Sequence, residues 1–210
     1  MESVARHQCL VYEGPPSRQL PALVAMTRLR LRQNLRCLYL NSPTMVAGMR
    51  SYLAASGIDV AGETAQGSLI LSSEQNLVNG CSFNPQQMID SLKSALDDAI
   101  DDGYSGLWAT GDMAWEFGPQ KDFSQLMEYE WLLEEFMRAN PEICGICQYR
   151  ADMLPRKTMR QGLLSHTSIF VNETLSLVNP QYVDHEKFSR EAAEDPCLDS
   201  FVNELIAQES

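Results

Sequence analysis

The chain lacks a basic surface, a long hydrophobic run and an apolar leader, and each absence excludes a class of protein. Its formal net charge is -12, with 16 lysines and arginines against 28 aspartates and glutamates. Nucleic-acid phosphates and anionic membranes attract basic surfaces, so neither is expected as a partner. No apolar run approaches the ~18–20 residues that span a bilayer, and the first residues do not form a signal peptide. We therefore expect a cytoplasmic protein.

The chain also lacks a recognisable disulfide framework, because its cysteines are scattered. The six cysteines lie among apolar neighbours in a chain long enough to bury a core without disulfides, so we expect reduced thiols. Cys144 and Cys147 have the spacing of a metal or redox knuckle, but they fall inside an apolar strand, where residues three apart face opposite sides. His7 and Cys9 share one face of the first strand, yet a structural zinc site needs four ligands at recognisable spacing. The sequence therefore predicts no metal and no cofactor.

What the sequence does contain is an alternation of two hydrophobic periodicities. Short apolar runs predict seven strands, at residues 8–13, 36–41, 68–72, 106–112, 143–149, 168–171 and 174–178. Helical spacing of apolar residues predicts helices over 20–35, 43–56, from 85 onward, 123–138 and 155–164. This alternation predicts an α/β fold built from right-handed βαβ units, with a mostly parallel sheet and helices on both faces.

The final residues differ in character from the rest of the chain. Residues 183–210 are acidic and contain apolar residues at the spacing of an amphipathic helix, Leu198, Phe201, Val202, Leu205 and Ile206. We interpret residues 1–182 as one domain and residues 183–210 as a C-terminal helix and tail. The helix either docks on its own domain or pairs with a partner or a second copy, which leaves a homodimer open.

An open parallel sheet binds its ligands beyond the carboxyl ends of its strands. A nucleotide-binding version carries a glycine-rich loop and a lysine after the first strand, whereas this chain has Pro15 and Pro16 in that loop, and no Lys-Ser or Lys-Thr pair follows them there. ATP hydrolysis is therefore not expected. Aromatic and sulfur-containing residues near the strand ends predict instead one pocket for a small, weakly polar ligand, lined by Tyr12, Trp108, Met113, Trp115 and Tyr149.

One predicted helix carries an acidic residue on its apolar face. On the helical wheel Glu130 lies between Leu126 and Met137, among the residues expected to face the core. Because burial of an unpaired carboxylate is costly, Glu130 needs a partner or a raised pKa. It is then either part of a structural ion pair or a polar group beside His7 or Tyr12 in a ligand pocket. Trp131 points to the other side of this helix, toward a surface or an interface.

Nucleophilic catalysis has weak support in the sequence. It needs a cysteine or serine within reach of an oriented base, and no G-x-S-x-G turn occurs. Cys9 or Cys147 paired with His166 would supply the chemistry, but the sequence alone does not bring these residues together. We therefore expect no enzyme, and an enzyme with one of these thiols as its nucleophile stays as an alternative.

Six motifs occur in the order and spacing of one known family. They are His7-x-Cys9-x-Val11-Tyr12-Glu13, Phe83-x-Pro85, Gly103-Tyr-x-Gly106-Leu, Thr110-Gly111-Asp112-Met113-x-Trp115, Tyr129-Glu130-x-x-Leu133 and Cys147-Gln148-Tyr149. Over about residues 6–182 the chain resembles the MEDS domain, the methanogen/methylotroph sensory domain named for the dichloromethane-responsive regulator DcmR. The resemblance implies a RecA/KaiC-like α/β sheet with a degenerate phosphate loop, and a sensory role that detects simple hydrocarbon derivatives.

The resemblance also implies a set of ligand-binding residues, namely His7, Cys9, Tyr12, Asp112, Trp115, Glu130, Cys147, Tyr149 and His166. Relatives commonly carry a helix-turn-helix segment or a histidine-kinase module, which serve transcription regulation and signal transduction. This chain shows neither, so its output is expected to pass through a signalling protein, either a kinase or a regulator.

Three positions depart from the usual pattern of the family. Leu10 stands where a second histidine often follows the cysteine, Arg150 where an aspartate is common, and Ser165-His166-Thr167 where Thr-His-Pro is common. The first departure argues against a His-Cys-His metal cluster, and the second indicates either an anionic ligand or a loss of sensing.

Two functional hypotheses follow from the sequence and the resemblance. The first is a non-catalytic sensor that binds a small organic molecule at the carboxyl edge of its sheet and changes a protein contact. The second is a scaffold that uses a degenerate ATPase-like fold for protein interaction alone.

Overall fold

The computed structural model describes residues 6–75, 77–78, 82–118, 122–172, 175–188 and 194–208. Its strands are β1 (His7–Tyr12), β2 (Arg36–Leu40), β3 (Leu69–Ser72), β4 (Leu77–Val78), β5 (Ser82–Phe83), β6 (Leu107–Asp112), β7 (Ile143–Arg150), β8 (Ser168–Asn172) and β9 (Leu175–Val178). Its α-helices are α1 (Leu20–Arg32), α2 (Pro43–Ala55), α3 (Val60–Ala65), α4 (Pro85–Asp101), α5 (Met113–Glu116), α6 (Leu126–Ala139), α7 (Arg156–Ser165) and α8 (Cys197–Gln208). No helix among these residues is long and apolar enough to cross a membrane.

Seven strands form one sheet in the order β3-β2-β6-β7-β1-β8-β9. Every pairing is parallel except that of β8 with β9, which is antiparallel. The predicted α/β class with a mostly parallel sheet is therefore confirmed. The sequence patterns missed α3, α5 and the two-stranded antiparallel pair of β4 and β5. These elements have six residues or fewer, which is too short for a periodicity to show.

Side-chain caps explain where three of the helices begin. Ser42 accepts a hydrogen bond from the Met45 amide, and Asn84 accepts one from the Gln87 amide, each just before a proline in the first helical turn. Asp112 ends β6 and accepts a hydrogen bond of 3.1 Å from the Trp115 amide, so the same residue starts α5. The predicted Gly-Asp turn is thus a single-turn helix.

Alternation along the central strands divides the core into two layers. Leu10 and Tyr12 of β1 belong to the layer beneath α1 and α2, whereas Cys9 and Val11 belong to the layer beneath α4, α6, α7 and α8. Cys144 and Cys147 likewise fall in different layers, as their spacing predicts. The five described cysteines are all free, and Cys81 lies outside the described residues.

The C-terminal helix α8 packs against its own chain. Leu198, Val202 and Leu205 are buried in the same layer as α6 and α7. Of the two roles open for this helix, docking on its own domain is the one observed. The division of the chain at residue 182 stays a prediction.

Candidate functional site

The acidic residue on the apolar face of α6 is the centre of a buried polar cluster. Glu130 is fully buried, and its Oε2 lies 3.2 Å from His7 Nε2 and 3.5 Å from His166 Nε2. The Cys147 thiol lies 3.8 Å from the same oxygen, and the Tyr149 hydroxyl donates a hydrogen bond to the other one. Glu130 therefore lies beside His7 and not beside Tyr12. The cluster joins β1, α6, β7 and the residue that follows α7.

Strand pairing and close helix packing bring these residues together. His7 opposes Gly145 and Cys9 opposes Cys147 across the parallel pair of β1 and β7. A side chain at Gly162 of α7 would put its Cβ 2.3 Å from the Tyr149 ring, so only glycine lets this helix approach β7 so closely. His7 is the first residue of β1. The cluster thus reaches from the amino end of β1 to Tyr149 near the carboxyl end of β7, and is not confined to the carboxyl edge where the sequence predicts the site.

Burial and neighbouring charges control the protonation of the two histidines. Burial alone lowers the pKa of His7, but hydrogen bonds to Glu130 and Glu134 outweigh burial and raise it to about 9. For His166, burial and then the charge on His7 lower the pKa to about 4. Burial opposes ionisation of Glu130, yet the nearby histidines and the Tyr149 hydroxyl lower its pKa. At neutral pH the cluster therefore contains a charged His7, an ionised Glu130 and a neutral His166.

The hydrogen bonds of His166 determine which of its ring nitrogens carries the proton. Nδ1 lies 2.6 Å from the Gly162 carbonyl oxygen, which accepts hydrogen bonds and cannot donate one, so Nδ1 carries the hydrogen. Nε2 of the neutral ring is then a bare lone pair. It is buried and has no hydrogen-bond partner, although Glu130 Oε2 lies 3.5 Å away. The lone pair of His166 Nε2 and those of Glu130 Oε2 then face each other with no hydrogen between them.

Cys147, His7 and Glu134 follow the order of a nucleophile, a base and an orienting carboxylate. Cys147 Sγ lies 3.7 Å from His7 Nε2, and His7 Nδ1 lies 3.0 Å from Glu134 Oε2. The base within reach of this thiol is thus His7, whereas the enzyme alternative paired it with His166. Burial and then the charge of Glu130 raise the pKa of the Cys147 thiol well above its usual value, which opposes thiolate formation. The adjoining cavity holds about 20 Å³, room for one water molecule and not for a substrate.

The remaining predicted site residues do not join this cluster. Tyr12 faces the other layer, and its hydroxyl donates a 3.1 Å hydrogen bond to Asp112, the cap of α5. Trp115 lies in α5 and is partly exposed. Cys9 lies in the layer of the cluster, beside Cys147, without belonging to the group of potential metal ligands.

The predicted single aromatic pocket is wrong. Tyr12 and Trp108 belong to one core layer, and Met113 and Tyr149 to the other. Trp108 is also the second residue of β6, near its amino end. The sheet itself separates these rings, because neighbouring positions on a strand point to opposite faces.

Comparison with protein families identifies the domain. The family model of the MEDS domain, described as the MEthanogen/methylotroph, DcmR Sensory domain, matches residues 6–167. The chain belongs to the MEDS family. A sensory or signalling role follows at the level of the family. Comparison with curated proteins finds no significant match.

Solved structures show which fold this MEDS domain has. The chain is similar to the flagellar accessory protein FlaH from Methanocaldococcus jannaschii, with a TM-score of 0.51 and 11% identity over 79% of this chain and 71% of that one. It is also similar to the uncharacterized protein PH0321 from Pyrococcus horikoshii, solved with an unknown peptide, with a TM-score of 0.56 and 9% identity over 85% of this chain and 84% of that one. At such low identity these similarities show the fold alone, which is RecA/KaiC-like.

Sequence reasoning missed two carboxylates of the MEDS domain. Glu134 lies one helical turn after Glu130, and that i, i+4 spacing on α6 was the signal that could have placed it beside His7. Glu116 is buried with one carboxylate oxygen unpartnered, and burial raises its pKa well above the usual value. It lies in α5, which has only four residues, so no pattern marked it as buried.

A surface groove runs between α6 and α7 on the outer side of the MEDS domain. Its volume is about 740 Å³, and its lining residues include Phe123, Met127, Trp131, Pro155, Thr158 and Phe188. Trp131 packs against His185 and Phe188, with ring centroids 4.4 Å and 4.7 Å apart. The prediction that Trp131 points away from the core side of α6 is therefore confirmed, and the indole forms part of the groove wall.

Proposed function

We propose that this MEDS domain is a non-catalytic sensor that binds a small organic molecule in the groove between α6 and α7 and relays the binding to a signalling protein. The observation that carries the proposal is the groove, whose volume of about 740 Å³ falls in the range of small-molecule sites, roughly 300–1,000 Å³. In the described residues, the cavity beside the buried cluster is too small for such a ligand.

The lining of the groove favours a hydrocarbon derivative with one polar group. Aromatic and aliphatic side chains supply apolar walls, while Glu128, Lys157 and Gln161 place charge and amide groups at the same site. A ligand of this kind buries its hydrocarbon part against the rings and directs its polar group toward Lys157 or Gln161. This ligand class agrees with the simple hydrocarbon derivatives that the resemblance implies.

The position of the groove supports a relay from the ligand to α8. The groove is lined by residues of both α6 and α7, so a ligand that favours a wider spacing of these helices shifts the population toward that arrangement. α7 is linked to α8 by the Arg160–Asp199 ion pair, 2.7 Å long, and by a 3.2 Å hydrogen bond from Arg156 to Asn203. Movement of α7 would therefore alter the surface of α8, where we place the contact with a kinase or regulator. We further propose that this contact forms in the cytoplasm, which keeps thiols reduced.

Calorimetry and tryptophan fluorescence test ligand binding. Small alcohols, halocarbons and carboxylates are titrated into the full chain, and a binding compound should change the emission of Trp131. The Gln161→Phe substitution fills the groove and should abolish both signals. Lys93→Phe places the same ring on the exposed side of α4 and should leave them unchanged. Binding that survives Gln161→Phe, or an absence of binding by every class, would refute the proposal.

The exposed thiol at the start of α8 offers a second test, which addresses the relay. Cys197 is the exposed member of the five described cysteines, so a fluorescent label should react there first, as peptide mapping can verify. Ligand should change the emission of the label in the unmodified groove and not in Gln161→Phe. If a ligand binds without changing this emission, the groove is still a binding site, but α8 does not relay the binding.

A further inference from the structure

The buried cluster combines two imidazoles, a carboxylate and a thiol around one point. We propose that His7, Glu130, Cys147 and His166 bind one Zn²⁺ ion through His7 Nε2, a Glu130 oxygen, Cys147 Sγ and His166 Nε2. This site departs from the sequence-based expectation of no metal. It rests on the cluster alone and does not depend on ligand binding in the groove.

The distances between the ligand atoms match the edges of a zinc tetrahedron. Zinc bonds of about 2.0–2.3 Å place neighbouring ligand atoms about 3.3–3.6 Å apart. The corresponding contacts of Glu130 Oε2 are 3.2 Å to His7 and 3.5 Å to His166, and those of Cys147 Sγ are 3.7 Å to His7 and 3.8 Å to Glu130. All four ligand atoms lie within 4.8 Å of one another, so small side-chain rotations complete the site.

The unpartnered nitrogen of His166 is the second observation that indicates a cation. His166 Nε2 is buried, lacks a hydrogen-bond partner and faces a carboxylate oxygen. Native proteins rarely leave such a buried group unsatisfied. A metal ion between the two atoms would give each of them a coordinate bond.

The outer contacts of both histidines are those of metal ligands. A ligating histidine usually donates its other ring N–H to a carboxylate or a backbone carbonyl, which fixes the ring and the tautomer. His7 Nδ1 lies 3.0 Å from Glu134 Oε2, and His166 Nδ1 lies 2.6 Å from the Gly162 carbonyl oxygen. Each ring thereby has its Nε2 directed at the centre of the cluster.

Charge and donor type favour zinc. The Cys147 thiolate and the Glu130 carboxylate together balance a divalent ion, and the displaced protons of Cys147 and His7 pass to solvent. A tetrahedral set of nitrogen, sulfur and oxygen donors suits Zn²⁺ rather than the oxygen-seeking Mg²⁺ or Ca²⁺. Four protein ligands also leave no open position for a reacting water, so the ion would be structural. It would hold α6 and the end of α7 on β1 and β7.

A small surface cavity lies beside the cluster at Glu134. It has a volume of about 100 Å³, and four acidic residues, Glu134, Glu135, Asp184 and Glu186, line it together with Arg138 and His185. Glu134 is the link between this cavity and the buried site, because its carboxylate contacts His7 and remains 15% exposed.

Cobalt binding to the full chain tests the site. After extraction with a chelator, the folded chain should bind one equivalent of Co²⁺ and show both tetrahedral visible absorption and a near-ultraviolet thiolate-to-cobalt band. Zn²⁺ should displace the cobalt, since it binds such ligands more tightly. Cys147→Ser should remove the thiolate band. The matched control is Cys9→Ser, which alters the buried thiol opposite Cys147 on the neighbouring strand and should retain the band.

A positioning variant keeps the test decisive if Cys147→Ser does not fold. Glu134→Gln retains all four ligands and should weaken metal affinity about 10–100-fold, because it removes the carboxylate that orients His7. Its fold is verified by circular dichroism. The proposal is overturned if the folded chain binds no Co²⁺ or Zn²⁺, if bound cobalt shows no thiolate band, or if Cys9→Ser loses the band as Cys147→Ser does. Unchanged metal affinity in Glu134→Gln would show that Glu134 does not position His7 for metal binding.

Discussion

At the scale of single residues, the molecule is organised around a carboxylate that the core does not need for packing. Glu130 occupies a position on α6 where leucine would bury more apolar surface, and its neighbours are arranged to keep it charged. Buried polar clusters of this kind are frequent at functional sites, because perturbed groups persist only where the surrounding structure holds them. Its partners come from β1, β7 and the residue after α7, so the cost of burying the charge is met by several elements.

Removal of the Glu130 charge should destabilise the chain strongly. In Glu130→Gln the protonated His7 loses its fully buried counterion and keeps only the partly exposed Glu134, and breaking a buried pair typically costs about 3–5 kcal/mol. Urea denaturation of the metal-free chain measures the change in the free energy of unfolding. Glu135→Gln changes a largely exposed carboxylate on the same helix and should alter stability by less than about 0.5 kcal/mol. Equal effects of the two substitutions would contradict the central role of Glu130.

The two cluster histidines should give the metal-free chain opposite pH dependences. The pKa of His7 rises from 6.5 to about 9, so its stabilisation is complete below pH 6.5 and is lost as the pH rises toward about 9. The pKa of His166 falls from 6.5 to about 4, so stability is lost as the pH falls between these values, where the unfolded chain takes up the proton. The combined contribution is greatest near pH 6.5.

Denaturation of the histidine variants across this range checks the prediction. His7→Gln should flatten the alkaline limb of the stability profile, and His166→Gln should flatten the acidic limb. The two ring titrations can also be followed directly by NMR. A chain in which both rings titrate near 6.5 would show that burial and the neighbouring charges do not control them.

At the scale of elements, glycine determines how closely α7 approaches the sheet. Gly162 lies against the Tyr149 ring, and its carbonyl accepts the hydrogen bond from His166. The same residue thus allows Tyr149 to reach Glu130 and sets the tautomer of His166. A helix-interior glycine would otherwise be unfavourable, since alanine forms helices better.

Gly162→Ala should therefore destabilise the chain despite its better helix propensity. The new methyl group would lie 2.3 Å from the Tyr149 ring, and overpacking of this kind costs typically 1–3 kcal/mol. Gln161→Ala, at the preceding residue of the same helix, should change stability by less than about 0.5 kcal/mol. Urea denaturation measures the free energy of unfolding of both variants. Stabilisation by Gly162→Ala would mean that α7 can shift away from β7 without a loss of stability.

The elements that the sequence predicted correctly are those with many residues of one periodicity. α4 and α6 show a clear apolar face, and the prolines after Ser42 and Asn84 mark helix starts. The single-turn α5 and the two-residue strands β4 and β5 have four residues or fewer. A local pattern has too few positions to reveal them.

At the scale of the whole molecule, α8 completes the layer that covers the cluster. Leu205→Ala should cost about 2–5 kcal/mol, because Leu205 is buried in the same core as α6 and α7. Glu204→Ala changes the neighbouring exposed residue and should have little effect. Thermal or urea unfolding measures the stability of both variants. A negligible effect of Leu205→Ala would show that α8 docks too weakly to report on α7.

The sequence by itself determined the α/β class, the acidic character and the placement of Glu130 on the core face, because composition and periodicity are local properties of the chain. It also identified five members of the cluster, His7, Glu130, Cys147, Tyr149 and His166, through the family resemblance. Only the tertiary structure decided that they converge, since His7 and Cys147 are 140 positions apart and meet through strand pairing. It also separated Tyr12, Asp112 and Trp115 from them, because the sheet divides its two faces and no spacing of residues shows which helix covers which face.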